Sequence, residues 1–116
     1  MTDAILFSLS DDQGGDQSFP GSRPALICFV KEDCPTCNTV MPVLQQFYDH
    51  YQGQLDFLVV GQDQKGNELL IKNHSLTVPI LDDSELKVSF AYELDIVPTL
   101  MLTNAAGDTQ LRREGF

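Results

Sequence analysis

Ala25-Leu26-Ile27-Cys28-Phe29-Val30-Lys31-Glu32-Asp33-Cys34-Pro35-Thr36-Cys37 holds most of the architectural information in this chain. Residues 25–30 are continuously apolar and partly β-branched. Alternation disappears when neither face of a strand meets water, so this run predicts a central strand buried on both sides. Lys31-Glu32-Asp33 ends it abruptly. The next four residues open a helix, since proline is tolerated at the first helical position, where its missing N–H would be unpaired anyway. Val40, Val43, Leu44, Phe47 and Tyr51 then recur at helical spacing and predict one buried face. Pro42, inside this helix, removes a backbone donor and predicts a kink.

Upstream of the strand, residues 5–9 are apolar, and residues 10–21 are polar and rich in Asp, Gly and Pro, as in a hairpin or loop. Downstream, residues 55–60 read as a second central strand and residues 61–66 as a polar loop. Residues 67–74 read as a short helix. Residues 78–81 form a short strand, with Pro79 placing it near an edge or a strand start. Asp82-Asp83-Ser84 is an N-cap cluster for a helix carrying Leu86, Val88, Phe90, Ala91 and Leu94. Residues 99–103 and 109–113 are strands joined by a turn at 104–107. Strands alternating with helices give an α/β fold with a mainly parallel sheet covered on both faces. The short turn makes the last two strands antiparallel.

At 116 residues the chain has room for one domain. It carries 17 Asp+Glu against 7 Lys+Arg, a net charge of −10. Nucleic acid and anionic membrane both demand a basic patch, so neither is an expected partner. The longest apolar run, Ala25–Val30, is far too short to cross a bilayer. Met1-Thr2-Asp3-Ala4 lacks the charged-then-apolar layout of a signal peptide. The expected location is therefore cytoplasmic for the sequence as it stands, and periplasmic or otherwise extracytoplasmic if a targeting segment has been removed.

Three cysteines, two of them in one C-x-x-C, are not a disulfide framework, which wants an even, dispersed set. The pair reads as redox chemistry or metal binding. A helix N-terminus carries partial positive charge and unpaired N–H groups that stabilise a thiolate. Two intervening residues within one turn bring both sulfurs into disulfide reach. Cys34, at the mouth, is the expected attacking thiol, and Cys37, one turn in, the resolving thiol. A zinc site wants four ligands. The other candidates are Cys28, in a buried strand, and His50 and His74, far along the chain, so no metal site is expected. Cys28 reads as a small core hydrophobe. His50 and His74 fall near helix ends, where a cation suits the dipole, and read as structural or surface residues.

With these residues in place, the chain resembles the thioredoxin superfamily. The resemblance rests on the strand Ala25–Val30, on Cys34-Pro35-Thr36-Cys37, on Pro42 five positions further, and on Val97-Pro98-Thr99 before a strand. It spans essentially all of residues 1–116 as one domain. It implies a thioredoxin-like fold, a central mixed β-sheet flanked by helices. It also implies a cis-proline at Pro98, preceded by Val97, facing the dithiol. Val97, Pro98, Pro35 and Thr36 would then shape the substrate-docking surface. From Cys37 to Pro98 is 98 − 37 = 61 positions, longer than in plain thioredoxins. The extra helix and strand (the insertion, residues 61–81) and the leading hairpin (residues 1–24) look like the TlpA-like branch.

That resemblance implies a thiol–disulfide oxidoreductase with no bound cofactor. Its substrates would be protein thiols and disulfides, served by a reducing or oxidising thiol partner. The chain departs from the family at three places. Asp33 stands where Trp is usual. Cys28 stands where plain thioredoxins keep a buried Asp for proton transfer, leaving that task to Glu32 or a water. The family's final helix is missing from this sequence, so association through the sheet face left open is expected. Two other readings exist. One is a peroxiredoxin-like thiol peroxidase with Cys37 as the peroxide-reacting thiol, though Cys34 occupies a place that family gives to Thr and no Arg lies beside Pro98. The other is a non-catalytic binding module of a larger protein, using the surface around Pro98.

Overall fold

The computed structural model describes residues 5–115. Met1-Thr2-Asp3-Ala4, read above for a targeting signal, and the terminal Phe116 lie outside them. Strands β1 (Phe7–Ser10) and β2 (Asp16–Phe19) form an antiparallel hairpin, as expected. The main sheet holds β3 (Ala25–Val30), β4 (Asp56–Gly61), β5 (Ile80–Asp82), β6 (Thr99–Thr103) and β7 (Thr109–Glu114). Its spatial order is β5-β4-β3-β6-β7. Strands β3, β4 and β5 are parallel, β6 runs antiparallel to β3, and β7 runs antiparallel to β6. All six residues of β3 are buried, which is why its sequence shows no alternation. Pro79 immediately precedes β5, an edge strand, where a missing donor costs least.

Successive side chains of a strand point to opposite faces, so β3 divides the interior in two. On one face Leu26, Cys28 and Val30 join Phe57 and Val59 of β4. They pack under α1 (Pro35–Tyr51) and α2 (Gln64–His74). On the other, Ala25, Ile27 and Phe29 join Leu58, Val60 and Met101. They pack under Phe19 of the hairpin and under Val88 of α3 (Lys87–Ala91). Buried apolar side chains of this size contribute roughly 1.5–3 kcal/mol each.

Three expectations are corrected. The buried stripe of α1 is Cys37, Met41 and Leu44, with Tyr48 packed beside it. Val43, Phe47 and Tyr51, expected inside, are 48%, 46% and 43% exposed. The buried stripe is rotated about the helix axis from the expected face: Leu44 belongs to both, and Val40 packs partly buried against the same cluster. Pro42 lies within the helix without ending it. Second, α2 begins three residues before the expected start, with Asp63 as N-cap: its carboxylate accepts the Gly66 N–H. Third, α3 is only five residues long and its N-cap is Leu86, at φ 63°. The acid that satisfies it is Asp83, which accepts the N–H groups of Val88 and Ser89 and the Ser89 hydroxyl.

Beyond β7 no helix follows among the described residues. Leu100 and Leu102, and Leu111 paired across from Leu102, are half-buried.

Candidate active site

The sheet topology assembles the site. The parallel strands β3 and β4 end at the same edge, and α1 starts from that edge after the loop 31–33. Because β6 runs the other way, its first residue, Thr99, lies opposite Phe29. The Val97-Pro98 step is thereby delivered to the start of α1, although it is 61 positions from Cys37 in sequence.

Cys34 is the N-cap of α1, with extended backbone (φ −102°, ψ 113°). Its Sγ accepts the backbone N–H of Cys37 at 3.1 Å. An N-cap side chain placed in this way takes up one of the helix's unpaired donors, and a thiolate at the same place gains from those N–H groups and the helix dipole. The Cys34 thiol also donates to the Val97 carbonyl at 3.6 Å, and Cys34 is partly exposed. The Val97–Pro98 peptide is cis. A second cis peptide, Phe19–Pro20, carried no distinguishing signal in the sequence. Pro35, at the first helical position, and Thr36 are exposed beside Cys34, while Val97 is half-buried and Pro98 buried.

Cys37 is fully buried beneath Cys34. Burial, then the hydrogen bond to the Cys34 thiol, together with the charges of Cys34 and Asp33, pushes its thiol up to about 12; a backbone hydrogen bond at Lys31 opposes them. Cys28 lies in the same core cluster, 0% exposed. Burial, and secondarily the charge of Cys37, pushes it up to about 12 as well. All three cysteines are free thiols. Of the two histidines, His50 contacts its own helix through the Gln46 carbonyl at 3.0 Å. His74 does not simply cap a surface helix: its Nε2 meets the Asn38 side chain at 2.8 Å. Sequence reasoning passed over Asn38, which sits one residue after Cys37. Among the described residues no group of three or more His, Cys, Asp or Glu side chains could hold a metal ion, and no helix is long and apolar enough to cross a membrane.

A half-exposed thiol at a helix mouth, a buried partner thiol one turn inside and a cis-proline against the pair together define a thioredoxin-fold dithiol protein. The chain belongs to the thioredoxin-like family, which it matches over residues 21–109. It is 31% identical over 99 residues to the thiol-disulfide oxidoreductase YkuV of Bacillus subtilis, an alignment covering 79% of this chain and 66% of that protein. The chain thus spans about two-thirds of that relative's length. The crystal structure of StoA from Bacillus subtilis superposes with a TM-score of 0.85 at 26% identity, covering 98% of this chain and 90% of that one. A DsbE-type thiol:disulfide interchange protein from Chlorobium tepidum has the same fold, with a TM-score of 0.87 at 18% identity over 99% of this chain and 84% of that one.

Proposed function

We propose that this chain exchanges disulfides with protein thiols through Cys34 and Cys37. The observation that carries the reading is the asymmetry of the pair. Cys34 is reachable and faces a helix N–H, whereas Cys37 is buried and held as a thiol. In the reducing direction the Cys34 thiolate attacks one sulfur of a substrate disulfide. An S–S bond forms to Cys34, and the other substrate sulfur leaves as a thiolate that takes up a proton. Cys37 then loses its proton and attacks the Cys34 sulfur. The second substrate sulfur departs, and two electrons have passed from the dithiol to the substrate. The oxidising direction is the reverse. Burial of Cys37 protects the mixed disulfide from immediate resolution until its proton is removed.

Val97 and Pro98 supply backbone for an extended substrate segment, while Pro35 and Thr36 form the rim beside Cys34. Electrons come from and go to other thiols, and no resident cofactor takes part. The peroxidase reading requires Cys37 to meet peroxide, and a fully buried thiol held near 12 is poorly placed for that. Insulin reduction with dithiothreitol as donor is expected in the parent and lost in Cys34→Ser; an unchanged rate in that variant contradicts the assignment. Cys37→Ser is expected to accumulate a mixed disulfide with substrate, seen as a reducible mass adduct. Peroxide consumption dependent on Cys37 but not Cys34 would replace this reading with the peroxidase.

A further inference from the structure

The loop before the dithiol is held from outside by a helix remote in sequence. Asn38 uses both hydrogens of its side-chain amide on that loop: Nδ2 donates to the Glu32 carbonyl at 2.8 Å and to the Cys34 carbonyl at 3.0 Å. Carbonyls only accept, so these two bonds fix which end of the amide is nitrogen. The Asn38 Oδ1 must then be the atom facing His74. The contact at 2.8 Å makes His74 Nε2 the donor, whether the ring is neutral or charged. His74 is the last residue of α2. The first turn of the same helix touches the loop too: a Cβ added to Gly66 would run into Cγ of Glu32. Helix α2 therefore reaches this loop from both of its ends: Gly66 lies against the Glu32 side chain, and His74 bonds Asn38, whose amide holds the Glu32 and Cys34 carbonyls.

We infer that Asn38, oriented by His74, is a positioning residue for Cys34: it fixes the backbone that aims the Cys34 sulfur at the Cys37 N–H. The inference rests on the dithiol reading above and deepens it. The chain of contacts runs from imidazole N–H to amide oxygen, then from amide N–H to the carbonyl of Cys34, whose own sulfur accepts at 3.1 Å. Losing the Asn38 amide takes its donor from the Glu32 carbonyl and leaves the Cys34 carbonyl with only the Asn38 backbone N–H at 3.1 Å, while losing His74 frees the amide to turn away from both. The N-cap geometry that stabilises the thiolate then relaxes.

The test compares Asn38→Leu, His74→Leu and His74→Gln, the last of which keeps an N–H for Asn38. Two readouts apply to the reduced, folded proteins. One is the alkylation rate of Cys34 by iodoacetamide at pH 7, mapped by mass spectrometry; the other is the dithiol–disulfide equilibrium against glutathione. Both Leu variants are expected to alkylate about fivefold more slowly. Their equilibrium should shift toward the disulfide by a similar factor, since a tenfold change corresponds to about 30 mV. His74→Gln should stay within twofold of the parent, and the double Leu variant should be no slower than the singles. Alkylation within twofold of the parent in both Leu variants overturns the inference, as does equal loss in His74→Gln. If Asn38→Leu does not fold, His74→Leu against His74→Gln decides alone. Alkylation reads Cys34 directly, so a parent that fails to reduce insulin sinks the proposed function and leaves this result standing.

Discussion

Burial keeps Cys28 and Cys37 protonated in the folded, reduced chain, each pushed from an ordinary 9.0 up to about 12. Unfolding frees both thiols to ionise near 9.0. Between those limits the folded state binds more protons than the unfolded one. The stabilising contribution is therefore complete below about pH 9 and is lost as pH rises toward 12. The urea midpoint of the reduced protein should fall measurably between pH 8.5 and pH 10.5. Cys28→Val, which keeps an apolar side chain at a fully buried site, should flatten that fall while leaving insulin reduction within twofold; a large loss of activity would give Cys28 a chemical role. The dithiol and its proline were legible in sequence because each is a short local signature. Asn38 was not. Its work is done through bonds to main-chain carbonyls and to a histidine 36 positions away, and such pairing leaves no periodicity or spacing to find.

At the scale of elements, helix α1 shows how hydrophobicity alone misleads. The spacing pointed to Val40, Val43, Leu44, Phe47 and Tyr51 as one face, whereas the buried set is Cys37, Met41 and Leu44 with Tyr48 beside it, Leu44 being common to both and Val40 packing partly buried. The sheet takes the second set because the dithiol must sit at its edge, with Cys37 turned inward, and that fixes the rotation of the whole helix. Phe47 and Tyr51 are left outside, their rings 6.3 Å apart. Met41→Ala, in the buried stripe, is expected to cost about 2–5 kcal/mol, and Phe47→Ala less than about 1 kcal/mol, in equilibrium denaturation. The acids before α3 were visible as a cap, but their geometry was not. Asp83 reaches past a left-handed Leu86 to N–H groups five and six residues on. Asp83→Ala should lower stability by about 2 kcal/mol, because three buried donors lose a carboxylate.

At the scale of the molecule, the two faces of the sheet are covered unequally. Two longer helices cover one face; the five-residue α3 and the hairpin cover the other. The hairpin closes its side with aromatic rings: Phe7 stacks on Phe19 at 5.5 Å and meets Tyr92 edge-on at 6.1 Å, and Tyr92 lies 5.7 Å from Phe29 of the central strand. The hairpin is thus part of the core, and Phe19→Ala is expected to cost about 3–5 kcal/mol by the same measurement. The last short turn gave the antiparallel β6–β7 pair, but the alternation of elements read as a mainly parallel sheet; the strand order and the antiparallel run of β6 against β3 left no local signal, because both are set by long-range pairing.

That return also decides what rests on the Cys34 sulfur. In its protonated form the thiol is parked on the Val97 carbonyl, part of the strip of backbone the proposed substrate would use. A sulfur that loses its hydrogen has nothing left to donate and is repelled by that oxygen. The Val97 carbonyl has a second lone pair, so an arriving chain can share it with the thiol or take it over. Occupation of that oxygen and release of the sulfur are thereby linked through one acceptor atom.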